Sequence, residues 1–471
     1  MEKNEEKIGL VVGLGANCEG IVKQDGMVVF VPFTLVGEKI RYKVLKVTSK
    51  CAYGKLIEVL TPAEMRVRVN CQFYGKCGGC QLQHVKYVNQ LKIKEETVAN
   101  CFNKIANLNV NVKPTVKGDN QFRYRNKLQL PVGNTKNGTV IGFYAENSHR
   151  IVPINDCLIN APWTADVISA FKAYIDEFDI KGYNETDGSG ELREITVKEI
   201  KGSLIITAVV LDENIRGKNR LVEILSECVK YKFSLYLNVN KKNTNVIYGD
   251  KFILLYGAKD YSSDMLGIKY KIGVQSFMQV NNSVCAKLYS AVRDAVCADE
   301  NTVVIDAYSG AGLMTALLAK QAKKAIGIEI VPEAVKCANE LAVQNGLEDK
   351  ITNYLGKCED ILPKIIEKEK AENNNVCVVL DPPRKGCDLK VINSIIENDI
   401  DRVVYVSCKP STLARDVGLL VGSLEQVNGE IVKAKEYKER YTVSLVRPYD
   451  MFANTKHVET LVCLTRVNHN I

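Results

Sequence analysis

From about residue 280 onward the sequence repeats one unit, and that repeat constrains the fold more than any other feature of the chain. A short apolar, β-branched run ends in a turn and is followed by a helical stretch. Val303-Val304-Ile305-Asp306 leads into one helix, Ala325-Ile326-Gly327-Ile328-Glu329 into a second and Val376-Cys377-Val378-Val379-Leu380 into a third. Arg402-Val403-Val404-Tyr405-Val406 closes the series. Strands alternating with helices in this way predict an α/β domain with a doubly wound, mostly parallel sheet. Such a sheet holds its ligands beyond the C-terminal ends of the strands, so the residues just after each run matter most.

The rest of the chain has a different texture. Over residues 7–60, short apolar runs are separated by turn signals such as Gln24-Asp25-Gly26 and Val36-Gly37-Glu38, which fits a small OB-like β-barrel ending at Thr61-Pro62. A group of cysteines follows, then an amphipathic stretch that predicts a helix over Leu82–Ile105. Residues 120–275 read mainly as strands with some helix, among them KLQLPV, TVIGFY, REITVKEI, SLIITAVVL and KFSLYLNVN. The expected organisation is a barrel over 1–62, an α+β unit over 63–275 and the α/β unit over 276–471. Hydrophobic residues make up 46% and charged residues 25%, which supports a packed core rather than disorder. The net charge of +8 permits a polyanionic partner without requiring one. No apolar run reaches the ~18–20 residues that span a bilayer, and the first residues lack a secretory pattern. A cytoplasmic protein with no membrane partner is expected, so the 16 cysteines should be reduced thiols rather than a disulfide framework.

At the first strand tip, Ala307-Tyr308-Ser309-Gly310-Ala311-Gly312 supplies two glycines where a backbone could approach a ligand closely. Glu329 ends the next strand near 20 residues later, where a carboxylate can accept both hydroxyls of a ribose. The third glycine of a pyrophosphate-binding loop is missing, which favours S-adenosylmethionine over a dinucleotide. Asp381-Pro382-Pro383-Arg384 makes a stiff turn whose Asp381 can bond a polar ligand edge. Cys408 ends a strand beside Lys409 and Arg415, a setting expected to lower its thiol pKa and favour a nucleophilic thiolate. His457 and Glu459, at a loop-to-strand junction, are candidate acid–base groups.

Two further groups carry chemistry. Cys71-x5-Cys77-Gly-Gly-Cys80 places three thiols within ten residues, and Cys157 is a candidate fourth ligand. Four thiolates suit zinc or an iron–sulfur cluster, and the absence of paired CxxC spacings leans toward iron–sulfur. Phe122-Arg123-Tyr124-Arg125-Asn126-Lys127 interleaves aromatic and basic side chains, a pattern suited to stacking on unpaired bases and meeting phosphates.

Together these residues resemble the RNA (uracil-5-)-methyltransferases, and the likeness runs essentially end to end. It rests on QSFMQVN at 275–281, DAYSGAG at 306–312, GIE at 327–329, LDPPRKG at 380–386, SCKPSTLARD at 407–416 and HVET at 457–460. Residues 7–62 look like a TRAM barrel. Cys71, Cys77, Cys80 and Cys157 match the family's [4Fe–4S] motif, which points to the branch acting on 23S rRNA. The resemblance implies an S-adenosylmethionine site at Gln279, Tyr308, Glu329 and Asp381, with Phe277 near the target base. It implies Cys408 as nucleophile and Glu459 as base. The interleaved basic run makes Arg123, Arg125 and Lys127 the expected RNA contacts, and a monomer is expected. Ser309 and Met278 depart from the residues frequent in relatives, Cys and Phe, but neither change removes a chemically required group. A transfer-RNA uridine methyltransferase, an RNA cytosine-5 methyltransferase and an idle RNA-binding scaffold are the alternatives.

Overall fold

The computed structural model describes residues 1–467. Five short strands form a closed barrel: β1 (Glu6–Leu14), β2 (Gly20–Gln24), β3 (Met27–Val31), β4 (Lys39–Val47) and β5 (Ala52–Thr61), in the order β1-β2-β3-β5-β4, with β1 pairing β4 to close the ring. Alternation turns Val11, Val22, Val29, Ile40, Tyr42 and Val44 inward. Arg66, just past the barrel, reaches back to the buried Glu38 carboxylate, Nη2 to Oε2 at 2.8 Å.

The helix expected over Leu82–Ile105 is shorter than that and ends unusually. α1 spans Tyr87–Cys101, and Phe102–Ala106 continues it as a π turn that Asn107 stops in the left-handed region. The expected start fails for a tertiary reason: the Gln81 and Leu82 amides donate to the distant Asn454 carbonyl at 3.2 and 2.9 Å, which holds that stretch in a turn. Val98, Phe102 and Ala106 sink into the core beneath the C-terminal sheet.

The central sheet has seven strands: β6 (Lys127–Thr135), β7 (Gly138–Tyr144), β8 (Ile151–Pro153), β9 (Leu192–Ile200), β10 (Ser203–Val210), β11 (Lys232–Val239) and β12 (Lys251–Tyr256), in the order β12-β11-β10-β9-β6-β7-β8. The helices α2 (Trp163–Phe178) and α3 (Lys218–Cys228) pack Trp163, Phe171 and Leu225 against Leu130, Ile195 and Leu235 of its strands. The hairpin β13 (Asp260–Met265) and β14 (Ile268–Gly273) then leads to the last unit.

That unit alternates as its sequence predicts: α4 (Asn282–Val296), β15 (Thr302–Ala307), α5 (Leu313–Ala319), β16 (Lys324–Glu329), α6 (Pro332–Gln344), β17 (Ile351–Leu355), α7 (Cys358–Ala371), β18 (Asn375–Leu380), α8 (Leu389–Glu397), β19 (Arg402–Ser407) and α9 (Pro410–Val421). The small hairpin β20 (Leu424–Val427) and β21 (Glu430–Lys433) precedes β22 (Tyr441–Tyr449) and β23 (Glu459–Arg466). The sheet order is β17-β16-β15-β18-β19-β23-β22, and β23, antiparallel to both of its neighbours, is the one strand that runs against the others. The order reverses between β15 and β18, so the cleft beyond their C-terminal ends is the topological switch point. No helix among the described residues is long and apolar enough to cross a membrane.

Candidate active site

Strand register brings the expected residues together. Ala307 pairs with Ile328 on one side and Leu380 on the other. The residues one step further, Tyr308, Glu329 and Asp381, therefore stand in a row along the sheet edge. Ser407 pairs with Thr460 on the antiparallel β23, so the next rung sets Cys408 opposite Glu459. Facing Cα atoms across such a rung lie about 4.5–5.5 Å apart.

The β15–α5 turn is built for close approach by a ligand. Tyr308 has φ 104°, a strained value for a residue with a side chain, and the Tyr308 and Ser309 amides both donate to the Ile328 carbonyl at 3.0 Å. Gly310, at φ 54°, faces open space, whereas a Cβ on Gly312 would come 2.7 Å from that of Ala338, so only glycine lets α6 pack there. The Glu329 carboxylate accepts from the Gly310 amide at 3.0 Å and from the Val331 amide at 2.8 Å. Each oxygen retains lone-pair capacity for a hydroxyl donor.

Around Cys408 the electrostatics differ from the sequence expectation. Burial, then the Glu459 charge, pushes the thiol above its ordinary value, while Arg384 beside it pulls the other way. The expected help from Arg415 is absent because its guanidinium is held by Asp416, at 2.6 Å, and by the Lys385 carbonyl, at 3.0 Å. Arg384 is the cation that reaches the thiol, a role that its place in the Asp-Pro-Pro-Arg turn did not reveal. Glu459 is 5% exposed, and burial reinforced by Asp381 pushes its carboxyl up to about 8. Crowding by protein, with Asp306 nearby, also raises the Asp381 carboxyl, although its side chain remains accessible from the cleft. His457 is driven down to about 4 by burial and by Arg384, Lys456, Lys94 and Arg125, which leaves it neutral at ordinary pH.

The segment before α4 is clamped at both ends. Lys198 on β9, 3% exposed, donates to the Val274 carbonyl at 2.6 Å and the Ser276 carbonyl at 2.5 Å. Asn126 donates through Nδ2 to the Gln279 carbonyl at 3.1 Å, and its own amide donates to the Val280 carbonyl at 3.0 Å. Between the clamps Phe277 is 72% exposed, free to meet a planar group, and Gln279 is half-buried. Lys198 escapes a reading of the sequence because a lysine in REITVKEI looks like a solvated strand position.

The basic run divides. Arg123 was expected to face RNA, but its guanidinium makes a two-pronged pair with Asp156, at 2.8 and 2.6 Å, and also meets the Cys157 carbonyl at 3.2 Å. It fastens the turn that carries Cys157. Among the described residues Arg125 and Lys127 are in no ion pair, and Arg125 is near enough to His457 to lower its pKa.

The loop leading to Glu459 is fixed by α1. Lys94, buried, pairs with Asp450, which also accepts from the Tyr87 hydroxyl at 2.7 Å. Gln90 and Asn454 bond each other twice, at 3.2 and 3.0 Å. Beside this loop lie the four cysteines. Burial raises the Cys80 thiol to about 12 and that of Cys157 to about 11, and the charges of neighbouring cysteines contribute to both. The Gly79 amide donates to Cys77 Sγ at 3.3 Å. Among the described residues, however, no three His, Cys, Asp or Glu side chains converge as a group that could hold a metal ion, so the expected cluster ligation is not seen.

Residues 237–467 match the family model described as tRNA (Uracil-5-)-methyltransferase. The chain is 39% identical to a protein of Clostridium acetobutylicum named an uncharacterized RNA methyltransferase, over 99% of this chain and 98% of that one. It is 36% identical to a likewise named protein of Bacillus cereus, with the same coverage of 99% and 98%. In fold it is similar to the crystal structure of the Pyrococcus abyssi tRNA (uracil-54, C5)-methyltransferase in complex with S-adenosyl-L-homocysteine, with a TM-score of 0.74 and 23% identity over 97% of this chain and 99% of the other. Matched by that family model over its C-terminal half and by these relatives along nearly its whole length, the chain belongs to the RNA (uracil-5-)-methyltransferase family and is an S-adenosylmethionine-dependent RNA methyltransferase.

Proposed function

We propose that this enzyme methylates carbon 5 of a uridine in 23S rRNA through a covalent adduct between Cys408 and carbon 6 of the ring. The register that sets Cys408 opposite Glu459 carries the reading. Carbon 5 of uracil is a weak nucleophile. Addition of the Cys408 thiolate at carbon 6 turns the ring into an enolate that is nucleophilic at carbon 5. Arg384 stabilises the thiolate before attack. S-adenosylmethionine, when bound, supplies an electrophilic methyl group. Glu329 holds its ribose, and Tyr308, Gln279 and Asp381 line the cleft around it; the open space at Gly310 fits such a ligand. Glu459 then takes the carbon 5 proton, which lets the sulfur leave. Phe277 stacks on the target base, which must be unpaired or flipped out to reach this depth.

We also propose that Cys71, Cys77, Cys80 and Cys157 hold a [4Fe–4S] cluster. The donor chemistry supports it: four free, half-buried thiols near one another, three of them on a loop with an amide-to-sulfur bond. A cluster there would cross-link the 71–80 loop to the Cys157 turn; methyl transfer requires no electron from it.

The barrel and the cysteine group favour ribosomal RNA through the family resemblance. The transfer-RNA reading stands second, because the same fold along nearly the whole chain occurs in a protein named for a tRNA uridine. Mass mapping of 5-methyluridine in ribosomal and transfer RNA from a deletion strain decides between them. Loss confined to 23S rRNA is expected; loss confined to tRNA would reassign the substrate, and no loss from either would contradict uridine methylation.

A further inference from the structure

A cavity of about 390 Å³ opens against the first turns of α9, the helix that follows Cys408. Its size falls within the ~300–1,000 Å³ of small-ligand sites. Its floor is apolar, from Ile105, Leu424 and Ile431, and its rim is basic and hydroxylic, from Lys104, Lys433 and Ser411. One wall is the π turn Phe102–Ala106, which also buries Phe102 and Ala106 in the core and so turns Lys104 and Ile105 outward. π turns are uncommon and recur at functional sites. The opposite wall is the β20–β21 hairpin, held to the π turn by the Ser423 hydroxyl donating to the Ala106 carbonyl at 2.5 Å and by Lys433 Nζ donating to Asn107 Oδ1 at 2.9 Å.

The charge at this cavity is unbalanced. Among the described residues neither Lys104 nor Lys433 is in an ion pair, and no carboxylate lines the cavity, where Arg415 adds a third cation. Asp416 behind it is buried and bonded to Arg415, Tyr405 and the Cys387 amide, and the hairpin acids Glu425 and Glu430 flank the lining without forming part of it. The cavity wall is also tied to the segments that carry Cys408 and Arg384. Ser411 follows Cys408 by three residues, and the Thr412 hydroxyl donates to the Arg384 carbonyl at 3.2 Å.

We propose that the cavity holds one nucleotide of the RNA strand adjoining the target uridine, its base on the Ile105–Leu424–Ile431 floor and its phosphate between Lys104, Lys433 and the Ser411 hydroxyl. An apolar floor under a positive rim complements a nucleotide, which has an apolar face and one negative charge. The proposal rests on the reading that the substrate is RNA.

The test measures binding of a single-stranded oligouridylate by the full chain across a salt series. Lys104→Glu/Lys433→Glu should weaken affinity at least ~10-fold and flatten the logarithmic salt slope by about 0.7, the value for one phosphate contact on a single strand. S-adenosylhomocysteine affinity and the melting temperature should hold. Lys364→Glu/Lys368→Glu, on exposed positions of α7, changes net charge equally and should have a much smaller effect. Equal losses from the two pairs, or an unchanged slope with Lys104→Glu/Lys433→Glu, would overturn this site while leaving the RNA reading intact. Absence of salt-dependent binding by the wild-type chain would overturn the RNA reading and this site with it.

Discussion

Cys408 and the four-cysteine group are built from the same side chain and are held in opposite ways. Cys408 sits one residue past a central strand, where the register of β19 and β23 sets it opposite Glu459. Its surroundings are complete in the protein alone: a buried acid across the rung, and the Arg384 guanidinium near enough to lower the thiol's pKa. Cys71, Cys77 and Cys80 lie on a loop, and Cys157 on a turn that depends on the Arg123–Asp156 pair. Their thiols neighbour one another without converging on a metal-holding group. A backbone ladder fixes the proposed catalytic pair to within the tolerance of the fold. A ligand set gathered from loops is completed by the ion it binds.

The largest expected difference between the two groups lies in substitution. Cys408→Ala should abolish methylation while melting temperature and S-adenosylhomocysteine affinity hold, since the thiol adds little to ground-state binding. Cys157→Ala should leave measurable activity but lower the melting temperature and the iron content, from about four per chain in anaerobically purified wild type as [4Fe–4S] requires. Stoichiometric zinc in place of iron, or full iron in Cys157→Ala, would break the contrast.

A second difference is in pH. Glu459 must be ionised to act as a base, and burial raises it to about 8, while the Cys408 thiol is also raised. The kcat/KM for RNA should therefore climb from pH 6 to pH 9. Stability should move the other way. A carboxyl whose folded pKa is raised stabilises the fold below its unfolded value, and that contribution is lost as pH rises through about 8. Glu459→Gln should then melt higher than wild type at pH 8.5 and no higher at pH 4. A flat activity profile, or equal melting at both pH values, would remove Glu459 from the base role.

The smallest effect concerns RNA contact. Arg125→Ala/Lys127→Ala should flatten the salt slope of RNA binding by about 1.4, whereas Arg123→Ala should leave the slope alone and destabilise the Cys157 turn. A slope change with Arg123→Ala would restore it as a phosphate contact.

What could be read from the chain follows the same division. The α/β repeat gave the parallel sheet, and with it the positions of Tyr308, Glu329, Asp381 and Cys408, because a strand tip is a local feature. Thr61-Pro62 and the spaced turns likewise gave the barrel. Features set by distant contacts stayed hidden. α1 starts late because Asn454 captures the Gln81 and Leu82 amides. Arg123 looks basic and free in sequence but is consumed by Asp156. Lys198 looks solvated but is buried against carbonyls near residue 275. Arg415 lies close to Cys408 in sequence, yet Arg384 reaches the sulfur, because the two turns meet only in the folded sheet.

Denaturing electrophoresis of enzyme mixed with S-adenosylmethionine and labelled uridine RNA tests the order of events at Cys408 and Glu459 most directly. With Glu459→Gln, addition and methyl transfer proceed but the carbon 5 proton stays, so the methylated ring remains bonded to sulfur. A denaturation-resistant protein–RNA band should accumulate with Glu459→Gln and be absent with Cys408→Ala and with the double variant. A band that persists without Cys408, or normal turnover by Glu459→Gln, would contradict the covalent route.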